Sequence, residues 1–81
     1  MNIVDIIIDN EISPMFIRAN DFLLDKHANK FLGLSYKEKI QLLEEYWKLE
    51  FKAELIKEKE FYNKIKFADT KTMTMFQLKW S

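Results

Sequence analysis

A lone histidine, His27, and two aspartates four residues apart, Asp21 and Asp25, are the nearest approach in this 81-residue chain to a metal or acid–base cluster. On a helix the two aspartates share a face, but His27 points about 100–160° away from them, so the three cannot meet on one ion. A di-metal bundle site needs an inward-facing Glu-x-x-His element, and the chain contains none. A solvated polar edge is expected here, with no metal and no cofactor.

A second set is richer. Glu50, Glu54 and Glu58 recur every four residues among Trp47, Phe51, Phe61 and Tyr62. Carboxylates held among aromatics can have raised pKa values and act as acid and base. On an open face they pair instead with Lys48, Lys52 and Lys57. Trp and Tyr are also the side chains that most often anchor interfaces. The set Tyr46, Trp47, Glu50, Phe51, Glu54, Phe61 and Tyr62 is therefore read as a partner-binding surface, although burial is the safer expectation for Trp47 taken alone. Nucleophilic catalysis has little to use. Ser13 and Ser35 sit where helix caps are needed, Ser81 stands last, cysteine is absent, and a single glycine excludes a phosphate-cradling loop. No enzyme is expected.

The third set is basic. Lys64, Lys66, Lys71 and Lys79 accompany Phe61, Tyr62, Phe67, Phe76 and Trp80. Lysines beside exposed aromatics can track a single strand and stack its bases. Only one arginine is available for bidentate contacts, and the net charge is zero. Nucleic-acid binding through Lys64, Lys66, Lys71, Lys79 and Trp80 is thus the alternative reading.

The elements that must position these groups are read as helices. Residues 2–11 place Ile3 with Ile7, Val4 with Ile8 and Asp5 with Asp9 at helical spacing, against a β-branched run that favours a strand; a helix is expected. Ser13-Pro14 opens a second helix over 14–32, because a proline at the first position loses no hydrogen bond there. Gly33 suits its end. Ser35 and Glu38 form a capping box at the start of a long third helix over 36–67, free of Gly and Pro and rich in Lys and Glu. Its apolar residues make two stripes, one of Tyr36, Ile40, Leu43, Trp47 and Phe51, the other of Leu42, Tyr46, Leu49, Ala53 and Ile56. They lie about 140° apart around the axis, so the helix is expected to have two neighbours. Residues 71–80 alternate Thr72, Thr74, Phe76, Leu78 and Trp80 with polar and methionine positions, which predicts an extended tail.

The expectation is a mainly α, single three-helix domain with a short β-like C-terminal tail. Its core should hold Ile7, Phe16, Ala19, Phe22, Leu23, Ile40, Leu43 and Trp47. At 15% aromatic the chain has more large apolar surface than so small a core hides easily, which favours an external partner or a second copy. Charge is divided: five acids against Arg18 in residues 1–25, then twelve lysines against eight acids, net −4 and +4. That division permits self-association. No secretory leader, membrane span or disulfide is expected, which suits a cytoplasmic protein. Twelve lysines against one arginine, with many Ile, Asn, Phe and Tyr, match a low-GC genome such as a bacteriophage's. The function expected is a small non-enzymatic regulator or inhibitor. It would act by protein–protein binding on a larger host protein or complex, in the host cytoplasm if phage-encoded, and the two stripes also allow a homodimer.

Overall fold

The computed structural model describes residues 2–59 and 61–80; Met1, Glu60 and Ser81 lie outside it. The chain runs β1 (Ile3–Asp5), β2 (Ile7–Ile8), β3 (Glu11–Ile12), α1 (Pro14–Lys26), α2 (Ala28–Phe31), α3 (Tyr36–Phe51), β4 (Ala53–Glu58), β5 (Phe61–Phe67) and α4 (Thr70–Trp80). Helices cover 56% and antiparallel strands 26% of the described residues, so the fold is α+β and not the mainly α three-helix domain with an extended tail expected above. β1, β5 and β4, in that order, form one antiparallel sheet, and β2 with β3 forms a separate small hairpin.

The expected N-terminal helix is extended instead. Val4 lies opposite Ile65 and Asp5 opposite Lys64, where Lys64 Nζ reaches Asp5 Oδ1 at 2.6 Å. A helix over 2–11 would forfeit that pairing, and the β-branched side chains already lean toward strand. Asp9 and Asn10 then take left-handed backbone, φ 51° and 64°, and turn the chain back. Their short polar side chains tolerate that conformation better than most. Ile7, placed in the core by the sequence reading, is 40% exposed, and Ile6 is buried in its stead.

The second helix starts where expected, with Pro14 in its first turn, but the Ser13 hydroxyl makes no cap bond. Ser13 is held through its backbone, N–H to Ile6 C=O at 2.6 Å. The expected run to residue 32 breaks at His27, whose ring is stacked on Tyr46 and whose backbone leaves helical geometry before the single turn of α2.

Both bonds of the Ser35–Glu38 capping box are present. The helix they open is half the expected length. It ends at Phe51, where Lys52 adopts φ 51°, ψ 45° and sends the chain into the β4–β5 hairpin. Alternate residues Ala53, Leu55, Ile65 and Phe67 are buried, a period of two inside a Lys/Glu-rich segment that reads as helical by propensity. Ala53 and Ile56, assigned above to a second helical stripe, are strand residues. Lys59 carries the turn with φ 60°, and no glycine marks it.

The C-terminal stretch is helical and not an extended tail. The Asp69 carboxylate accepts from Thr72 N–H at 2.7 Å and caps it. Met73, Phe76 and Trp80 then fall inward at helical spacing. The core joins α1, α3 and α4 to the inner sheet face through Ile6, Ala19, Leu23, Trp47, Ala53, Leu55, Ile65, Phe67 and Phe76. Of the other expected core residues, Phe16, Ile40 and Leu43 are half-buried and Phe22 is exposed.

Candidate functional site

The most site-like feature is a groove of about 370 Å³ where α1, α3 and α4 meet. From α1 come Phe22 and Lys26, one helical turn apart. The last turn of α3 gives Glu50 and Phe51, and Lys52 follows at its left-handed end. Along α4, Thr72, Met75, Phe76, Lys79 and Trp80 line the third side. Those five positions share one helical face, so the helix that replaces the expected tail is what assembles this wall.

The walls are aromatic. Trp80 packs on Phe22 at 5.2 Å and edge-on to Phe51 at 5.9 Å between ring centroids, while Phe51 meets Phe76 edge-on at 5.2 Å. Lysines stand over these rings: Lys26 Nζ is 5.6 Å from the Phe22 centroid, and Lys79 Nζ is 5.4 Å from Phe22 and 5.1 Å from Trp80. Such cation–ring contacts orient the ammonium groups around the rim and cost little solvation. Arg18 closes the far end of α4 by donating from Nη1 to Trp80 C=O at 3.3 Å. A cation at a helix C-terminus also complements its dipole.

Glu50 links groove and fold. Its Oε1 accepts from Lys26 Nζ at 2.6 Å, and its Oε2 meets His27 Nε2. The Lys26 ammonium lowers the Glu50 carboxyl below its ordinary value, burial opposes this, and His27 adds to the lowering. The His27 ring lies flat on Tyr46, centroids 3.8 Å apart and planes within 6°. Glu50 is thus a fixed anion with both oxygens engaged, suited to holding position more than to moving protons. Asp21 and Asp25, exposed on α1, do not join His27. Among the described residues no group of three His, Asp or Glu converges as a metal site would require.

The residues singled out by sequence are divided. Tyr46 is half-buried beneath His27, and Trp47 is fully buried. Glu50 and Phe51 line the groove. Glu54 lies opposite Lys66 in the sheet, and Phe61, 70% exposed, sits where β5 begins. Tyr62 turns toward the core because of a bulge. Ile56 pairs with Lys64 but Lys57 with Tyr62, leaving Asn63 as an extra residue that reverses the alternation. Among the described residues the buried Tyr62 hydroxyl has no hydrogen bond of proper geometry. Burial first, and the nearby Glu44 carboxylate second, push its pKa well up.

Of the basic set, Lys79 and Trp80 belong to the groove, Lys64 is engaged by Asp5, Lys66 faces Glu54, and Lys71 is exposed in the first turn of α4. The groove therefore draws Glu50 and Phe51, with Lys52 expected to pair with the glutamates, from one set and Phe76, Lys79 and Trp80 from the other, and joins them to Phe22, Lys26, Thr72 and Met75, which belonged to neither. The i, i+3, i+4, i+7 spacing of Thr72, Met75, Phe76 and Lys79 was the available signal.

Among the described residues no helix is long and apolar enough to cross a membrane. No protein-family model, curated protein or solved structure matches the chain.

Proposed function

We propose that this chain is a small non-enzymatic binding protein, a regulator or inhibitor that seats an apolar, acid-bearing segment of a larger protein in the α1–α3–α4 groove. The observation that carries the reading is the pairing of an aromatic floor with a rim of three lysines, of which, among the described residues, only Lys26 is held by a carboxylate. Met75, 61% exposed at the same groove, adds an adaptable apolar contact of the kind used at binding surfaces. A phage-encoded modulator acting in the host cytoplasm fits the size and residue usage.

The test is capture from host lysate by the wild-type chain, by Met75→Lys and by Lys79→Glu. A partner retained by the wild type and lost by both exposed-site variants supports the reading. Equal retention by all three removes the groove from the function.

The Lys79–Trp80 contact also suits the second reading, a nucleic-acid accessory protein. It predicts a salt-dependent gel shift weakened by Lys64→Ala with Lys66→Ala. Unchanged mobility at low salt removes it.

A further inference from the structure

The β2–β3 hairpin is the second feature that the fold leaves uncovered. Among the described residues its strands pair only with each other, Ile7 opposite Ile12 and Ile8 opposite Glu11. Ile8 and Ile12 are each 54% exposed, with Asp9 and Glu11 beside them also exposed. The stem is anchored by buried Ile6 and Ser13, joined through the Ser13 N–H to Ile6 C=O bond. The tip is thus a fixed, apolar and doubly acidic knob, built on a left-handed turn that holds the isoleucines out.

The knob and the groove are complementary. Three lysines and one glutamate line the groove, a net of +2, against two acids and no base in the Ile7–Ile12 hairpin. The groove floor is aromatic, and the knob offers three branched aliphatic side chains. A molecule cannot serve its own groove. The hairpin joins the N-terminal end of α1 at Ser13, while Phe22 and Lys26 lie nine and thirteen residues on, about 14–20 Å along the axis.

We infer that the Ile7–Ile12 hairpin of one copy docks into the Lys26–Lys52–Lys79 groove of a second copy, head to tail. The inference rests on the groove being a docking site, and makes the chain's own hairpin a competitor for the partner segment. A head-to-tail contact uses two different surfaces, so it closes into a ring, of which a reciprocal pair is the smallest, or grows into an open chain.

The experiment is light scattering across a concentration series of the wild type, Ile8→Lys and Lys79→Glu, each checked for fold by circular dichroism, with Glu11→Lys replacing Ile8→Lys if the latter fails to fold. The expected result is concentration-dependent mass in the wild type, reduced by salt, and monomers for each variant alone. An equal mixture of the two variants should give a species of two chains and no larger, because one intact groove meets one intact hairpin. Self-association that survives either variant, or a mixture that stays monomeric while the wild type assembles, overturns the inference. A wild type that is monomeric throughout also overturns it. In that case loss of the lysate partner by Lys79→Glu would still uphold the groove, whereas retention would remove the groove as well.

Discussion

Trp47 Nε1 donates to Asn20 Oδ1 across 3.2 Å and ties the buried centre of α3 to α1. The indole is stacked on Phe16 at 5.4 Å, meets Phe51 edge-on at 4.9 Å and reaches Phe76 at 5.6 Å. Three elements of the core, α1, α3 and α4, are thus joined through one side chain that is nowhere exposed. Truncating it tests the fold and not the binding surface. Trp47→Ala should cost about 3–5 kcal/mol, a large part of the roughly 4–12 kcal/mol available to a domain of this size. Asn20→Ala should cost about 1–3 kcal/mol by leaving the indole N–H without a partner. Urea midpoints report both, and an unaffected midpoint for Asn20→Ala would show that the indole bond contributes nothing.

Glu50 carries the acid sensitivity of the α1–α3 junction. Its pKa lies below the ordinary 4.5, chiefly through Lys26. A lowered carboxyl contributes stability that is fully present above its unfolded value and is lost as pH falls through its folded value. Glu50→Gln should therefore lower the melting temperature near neutrality, and the gap from wild type should shrink as pH drops from about 5 toward 3. Glu38 and Asp69 are also lowered, by Ser35 and Thr72, but they titrate alike in both proteins and cancel in the comparison. A gap that stays constant across that range would mean Glu50 acts by packing alone.

Tyr62 makes the opposite case, a buried hydroxyl that gains nothing. The bulge at Asn63 directs the ring inward, where burial raises its pKa, the nearby Glu44 carboxylate adds to the rise, and among the described residues the hydroxyl has no hydrogen bond of proper geometry. Tyr62→Phe keeps the ring, including its contact with Lys57 Nζ at 5.1 Å, and should be neutral or stabilising by up to about 1 kcal/mol. A loss of that size instead would show the hydroxyl to be satisfied, by the Glu44 carboxylate or through water.

The parts of this fold that were legible in the sequence depend on neighbours in sequence. Ser35 and Glu38 cap α3 because each reaches the other's backbone N–H three residues away, and Pro14 opens α1 for an equally local reason. The β4–β5 hairpin was not legible because Lys57, Glu58 and Lys59 carry helical propensity and the turn lacks the glycine or asparagine that usually marks one. In α4, Phe76 and Trp80 satisfy both a period of two and a helical stripe, and threonine-rich flanks favour the wrong one; the Asp69 cap decides it. The groove was half legible for the same reason. Glu50, Phe51, Lys79 and Trp80 were visible as chemistry, but their meeting depends on α4 folding back across α1 and α3.

The Ser35 cap provides a local control. Ser35→Ala removes the acceptor for the Glu38 N–H, a bond of 3.2 Å, at one end of α3, far in sequence from the groove residues Glu50 and Phe51. It should cost about 1 kcal/mol without altering partner capture. Loss of capture at full folding would show that the N-terminal end of α3 belongs to the binding surface.

Lys52 separates stability from binding most sharply. It holds a left-handed backbone, φ 51°, where a side chain is strained, and its carbonyl accepts from Ala68 N–H at 3.0 Å to set the start of the sheet. Glycine adopts that conformation freely, so Lys52→Gly should stabilise the fold by about 0.5–1 kcal/mol. The same change removes one of three cations from the groove rim. The expected variant therefore melts higher and captures its partner less well, with Lys52→Ala weakening capture equally but without the gain in stability. Undiminished capture by both variants would place the groove's attraction in Lys26 and Lys79 alone, and a lower melting temperature for Lys52→Gly would mean that the lysine side chain packs where its backbone strain suggests only cost.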